Sequence, residues 1–239
     1  MEWRDEGVLL SVRRHGESSA IIEVFTQTHG RHVGVVRGGA SRRMAPVLQP
    51  GAHLAVTWRA RLEGHIGSFI TEPIRSRAVV LGDRLALAGL NAVCAMVRVA
   101  LAERETHGGL WHATVAMLDA LETAPDWPAR YLRWEVLLLE ELGFGLDLGR
   151  CAVTGLRDDL IFVSPKTGRA VSRAGAGAWA ARLLPLPDCL LGQGPASPVE
   201  LAQGLAITGH FLGRELAGMG REPPLPEARA RLLEWLARG

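Results

Sequence analysis

Arg31, Arg37, Arg42 and Arg43 fall within RHVGVVRGGASRRMAPVLQPG, residues 31–51, where an alternating apolar run gives way to a glycine pair, an arginine pair and a proline-bounded return. A guanidinium grips phosphate in a planar fork and stacks on bases. Glycine has no side chain to hold a partner off the backbone. The stretch therefore reads as a flexible cationic loop suited to a polyanion. Arg13 and Arg14 join the set, and the six together would neutralise phosphates in a salt-sensitive, sequence-indifferent way. The aromatics close by in sequence are Trp3, Phe25, Trp58 and Phe69. Some of these must fill a core, so phosphate contact is a stronger expectation than base stacking.

Two further constellations carry possible chemistry. Arg130, Arg133 and Trp134 lie in a helical stretch ending LLLEELGFG, where a basic rim around an apolar hollow would receive an acidic, aromatic-ended peptide. The plainer reading is a core tryptophan with arginines snorkelling over it. Cys151-Ala-Val-Thr154 precedes a hairpin at the place where a zinc ribbon puts its first Cys-x-x-Cys. Thr154, Ser172 and Gly175 stand where the other ligands would be. A structural zinc takes four nitrogen or sulfur ligands, so the segment reads as a ribbon-like insert with no metal. Cys94 reads as a small buried hydrophobe, and Cys189 has no assigned role. A nucleophile elbow, a P-loop and a metal-binding histidine pair are all missing. Gly38-Gly39 lacks the Gly-Lys-Ser/Thr ending, and His29, His32, His53 and His65 alternate among turns and strands. Neither an enzyme nor a bound cofactor is expected.

Charge localises the polyanion signal. Net charge over 239 residues is only +2. Residues 1–80 hold 11 arginines against 7 acids, about +4, whereas residues 81–239 hold 16 cations against 18 acids, about −2. Lys166 is the only lysine. Three widely spaced cysteines fit a reducing cytoplasm rather than a disulfide framework. The N-terminus lacks a signal-peptide pattern, and the apolar run near residues 78–102 is broken by Asp83, Arg84 and Arg98, so no membrane span is expected.

The elements that must position these residues divide near Pro73. Gly7–Arg14, Ser19–Gln27, Arg31–Arg37, His53–Ala60 and His65–Glu72 read as short strands separated by turn residues. Five such strands predict a small closed barrel, with an OB-fold the natural candidate and an SH3-like barrel reading almost the same. Helical spacing follows over 78–105, 109–123, 127–142, 197–217 and 226–238. Asp126 reads as an N-cap before Trp127-Pro128. Ser197-Pro198-Val199-Glu200 reads as a capping box. A hairpin is expected around Leu160–Pro165 and Gly168–Arg173, and 185–198 is a Pro/Gly-rich loop. The expectation is α+β: a β-barrel domain over 1–77, then a helical domain over 78–239 with the insert at about 149–175.

GVLLSVRRHGESSAIIEVFTQTHGRHVGVVRGG, SRRMAPVLQPGAHLAVTWRAR and RWEVLLLEELGFGLDLGRCAVTG, taken in this order, resemble the RecO family of DNA-repair recombination mediators. The resemblance spans most of the chain and weakens after about Pro185. It implies an N-terminal OB-fold and a helical C-terminal domain with a zinc-ribbon-like insert. It further implies binding of single- and double-stranded DNA, annealing of complementary strands, and action with RecR and usually RecF. Such a protein relieves the block by single-strand-binding protein so that RecA loads, and it works in the cytoplasm at the nucleoid. By motif, Arg31, Arg37, Arg42 and Arg43 fall in the family's basic barrel region. Arg133 and Trp134 fall in the helix that in some members receives the tail of single-strand-binding protein. The reduction of the four-cysteine set to Cys151 departs from the zinc-bearing members and removes zinc as a cofactor.

Overall fold

The computed structural model describes residues 1–62, 64–220 and 225–238. Five strands form in the first 75 residues: β1 (Glu2–His15), β2 (Ser19–Thr26), β3 (Gly30–Val36), β4 (His53–Arg59) and β5 (Ser68–Arg75). β1 begins five residues before the expected Gly7 because it serves two partners. Its first half pairs with β4 and its second with β2, with a register shift between Leu9 and Ser11. Such a shift bends a strand and lets it change neighbours. The order β1-β2-β3-β5-β4 closes into a barrel, β3 and β5 meeting at one parallel pair, Val35 and Ser68. Leu9, Ile22, Val24, Leu54, Val56, Trp58 and Phe69 fill the interior, as the two-residue period of strands requires.

The predicted helix over 78–105 is shorter than expected. A 3-10 turn covers Ala78–Gly82, and α1 spans Arg84–Ala100. The Asp83 carboxylate resets the start by accepting from the amides of Leu85 at 2.8 Å and Ala86 at 3.1 Å. α2 (Gly108–Thr123) and α3 (Trp127–Glu141) follow, then β6 (Leu160–Val163), β7 (Ala170–Ser172) and α4 (Arg173–Ala176). After a 3-10 turn over Gly177–Arg182 come β8 (Leu184–Pro185), α5 (Pro198–Gly218) and α6 (Glu227–Leu236). Asp126 does not cap α3 through its side chain; it pairs with Arg130 at 3.1 Å instead. The capping box at Ser197 and Glu200 forms as the sequence predicts.

The chain packs as two compact units. One holds Met1–Ala124 with Pro226–Leu232, the other the remaining described residues. The boundary expected at 77/78 marks the change from strand to helix, whereas packing divides after Ala124 because α1 and α2 join the barrel. Buried Arg77 donates to the Gly51 carbonyl and to Asp119 of α2, the latter at 2.6 Å. The Trp111 indole donates to the Phe25 carbonyl at 3.2 Å. In the second unit α3 lies on α5, with the Thr208 hydroxyl donating to buried Glu135 at 2.5 Å. β7, β6 and β8 form a separate small sheet. Among the described residues no helix is long and apolar enough to cross a membrane.

Candidate nucleic-acid interface

The register of β1, β2 and β3 sets where the arginines stand. Arg13 lies opposite Ile21, which lies opposite Val35; Arg14, Ala20 and Val36 form the next row. Arg37 follows β3 directly, so it emerges at the same end of these strands as Arg13 and Arg14. All three are exposed. The segment carrying Arg42 and Arg43 is held to that end by the Ala40 amide, which donates to the Ser18 carbonyl at 3.0 Å. Ser18 sits in the β1–β2 turn. Arg13, Arg14, Arg37, Arg42 and Arg43 thus gather at one end of the barrel, and among the described residues none has a carboxylate partner.

Residues 37–51 are not the flexible loop that the glycines and arginines predict. Consecutive turns tie the segment together: Ser41 donates to Gly38, Met44 and Ala45 to Ser41, Val47 and Leu48 to Met44. Leu48 is buried in the barrel core, with Met44 and Val47 packed against it. Burying one such leucine is worth about 1.5–3 kcal/mol, which adds to the turn hydrogen bonds in holding the segment on the barrel. The spacing of 44, 47 and 48 is the helical signal that could have revealed this anchor. Gly39 also serves the fold rather than a ligand: a Cβ there would come 2.8 Å from the Cβ of Ala20. Gly38 is needed for its φ of +72°. Arg42 and Arg43 are therefore displayed on a rigid, not a mobile, platform.

Arg31 does not join the exposed set. Its side chain is about one-tenth exposed, and its Nη1 lies on Oε1 of buried Glu23. Its Nε donates to the Leu101 carbonyl at 3.1 Å. Breaking a buried pair costs about 3–5 kcal/mol, against about 0–1 kcal/mol for an exposed ion pair, so Arg31 does not leave Glu23 for a phosphate. Strand alternation correctly turns it outward, but α1 covers it: Arg98 of that helix reaches the same carboxylate.

The barrel aromatics are core. Phe25, Trp58 and Phe69 are almost fully buried. Half-buried Trp3 stacks on His29 at 4.1 Å and on Trp58 at 5.6 Å, so its faces are occupied. His32 packs edge-on to Trp3 and Trp58. Burial, aided by the Arg104 charge, pushes its pKa down to about 4.

In the second unit the structure separates the three residues expected to receive a peptide. Arg130 and Arg133 are exposed, but Trp134 is 3% exposed and stacks on Tyr131 at 5.7 Å. Trp134 is a core residue, and the apolar hollow predicted around it is filled. The Cys151 sulfur lies between the turn that follows it and the start of α4. It accepts from the amides of Val153, Thr154 and Ser172 and from the Ser172 hydroxyl, at 3.2–3.4 Å. A Cβ on Gly175 would come 2.8 Å from it. Burial raises the thiol pKa, but these donors outweigh it and bring it to about 6. Among the described residues no group of three or more His, Cys, Asp or Glu is placed to hold a metal.

Comparison with known proteins accounts for both units. The model for the recombination protein O N-terminal domain matches residues 1–77, and that for its C-terminal domain matches residues 81–222. The DNA repair protein RecO of Cereibacter sphaeroides is 72% identical over all of this chain and 99% of its own. Those of Roseobacter denitrificans and Ruegeria sp. are 62% and 59% identical with the same coverage. Matches of this extent and identity, over a barrel that gathers five arginines at one end, place the chain in the RecO family of DNA-repair proteins.

Proposed function

We propose that the chain is a recombination mediator that binds single- and double-stranded DNA, anneals complementary strands and helps RecA load where single-strand-binding protein covers the DNA. We read its barrel as an OB-fold and its hairpin as a metal-free zinc-ribbon-like insert. The observation that carries this reading is the group of five exposed arginines, Arg13, Arg14, Arg37, Arg42 and Arg43, on a rigid barrel end. Two strands repel each other through their phosphates. Fixed guanidinium groups lower that repulsion and release counterions, while base pairing supplies the sequence specificity. No bond is made or broken, so the reading needs neither an enzyme nor a cofactor. Action with RecR, possibly RecF, at the nucleoid in the cytoplasm belongs to the same proposal. Annealing of complementary strands covered by cognate single-strand-binding protein tests it. The wild type accelerates annealing, and the variant with all five arginines changed to Ala does not; equal rates for the two overturn the reading.

The alternative is an adaptor whose main ligand is the acidic tail of single-strand-binding protein. Exposed Arg133, with no carboxylate partner among the described residues, favours a tail contact on α3, while the burial of Trp134 removes the apolar half of that site. Tail-peptide titration of Arg133→Ala decides: weaker binding supports the contact, and equal affinity removes it.

A further inference from the structure

Residues 149–182, the insert at about 149–175 together with the 3-10 turn that follows it, hold six cations and two acids, about +4, inside the part of the chain whose total is about −2. This extended insert carries the same net charge as the first 80 residues. Among the described residues Arg150, Arg157, Lys166 and Arg182 have no carboxylate partner, while Arg173 pairs with Asp159 at 3.3 Å. The insert also carries the most exposed of the seven tryptophans. Trp179 is 62% exposed, and the Arg182 guanidinium lies 4.9 Å from its ring centroid. The guanidinium is attracted to the ring face, so an indole and a cation are presented to solvent as a pair. Their 3-10 turn begins one residue after α4 (Arg173–Ala176), itself fixed to the hairpin by the Ser172 cap on Gly175, at 3.1 Å, and by Cys151. The platform is therefore built, not loose.

We propose that this segment is a second nucleic-acid surface, taking single strands by stacking a base on Trp179 while Arg182 beside it, which has no carboxylate partner among the described residues, meets the strand's phosphate. This rests on the DNA-binding reading and extends it. The barrel end grips phosphates without an exposed aromatic, and the insert supplies the aromatic that the barrel keeps for its core. An acidic peptide fits the charge but gives no reason for a planar ring paired with a guanidinium, whereas every base offers a π-face.

The test uses the full chain and fluorescence anisotropy on labelled oligothymidylate and on an abasic oligonucleotide of equal length. Trp179→Ala should weaken oligothymidylate binding by roughly five- to hundredfold, the range one stacked base is worth, and leave abasic binding unchanged. Trp179→Phe should keep most of the affinity, and both should melt as the wild type does. Arg42→Ala/Arg43→Ala should weaken both ligands. If Trp179→Ala matches the wild type while the arginine variant is weakened, the insert proposal falls and the barrel reading stands. If neither is weakened, both fall. Equal loss on the two oligonucleotides, or loss only for an acidic peptide, overturns stacking.

Discussion

Arg98 of α1 donates through Nε to Oε2 of Glu23 on β2 at 2.6 Å, and the other oxygen of that carboxylate is taken by Arg31 of β3. One buried acid thus joins two strands to the helix that closes over them, with the Ser11 hydroxyl as a third donor at 3.2 Å. The most conspicuous arginine of the cationic stretch is spent on this junction.

Replacing Arg31 by Ala should therefore cost stability and not DNA affinity. The expected loss is about 1–3 kcal/mol, the cost of a buried group losing one hydrogen-bond partner, and less than for a pair broken outright because Arg98 and Ser11 still hold the Glu23 carboxylate. Urea melts measure it, and DNA binding well below the midpoint should match the wild type. A variant of normal stability with weakened DNA binding would return Arg31 to the interface.

His32 makes stability depend on pH. Burial, with the Arg104 charge, outweighs the contact with the His29 backbone and the Asp5 charge, both of which favour the proton, and holds its pKa at about 4. Because that lies below the unfolded value, the unfolded chain binds the extra proton first. The contribution is full above about pH 6.5 and declines as the pH falls towards 4. Melting His32→Gln and wild type across this window should give a shallower decline for the variant. Parallel curves would contradict the assignment.

The Cys151 sulfur accepts hydrogen bonds from both of the turns it lies between. Cys151→Ala strands the buried amide and hydroxyl of Ser172 and should cost about 1–3 kcal/mol for each group left unsatisfied; Cys151→Ser should recover part of the loss. Incubation with a chelator should leave the melting temperature of the wild type where it was. A drop on chelation would mean that a metal bridges the turns.

The local features of the chain were legible from its residues. Strand alternation placed β2–β5 within a few residues, and Ser197 and Glu200 announced the start of α5. What the sequence hid was long-range. The length of β1 follows from its two partners, which no local pattern encodes. The burial of Arg31 depends on Glu23 and on Arg98, which lies 67 positions further along. Trp134 and Trp179 show the same limit in opposite directions: the helix with basic neighbours buries its indole, and the Ala/Gly-rich turn exposes one. Helical spacing of 44, 47 and 48 was present but lay under a glycine and arginine pattern that reads as a loop.

The central claim is that a rigid barrel end grips phosphate irrespective of sequence. The dependence of DNA affinity on salt concentration, measured for wild type and Arg42→Ala/Arg43→Ala on two unrelated duplexes, tests it most directly. Each lost phosphate contact lowers the slope by about 0.9 on duplex DNA, so the double variant should be shallower by about one to two, equally on both sequences. An unchanged slope, or a loss confined to one sequence, would contradict the account.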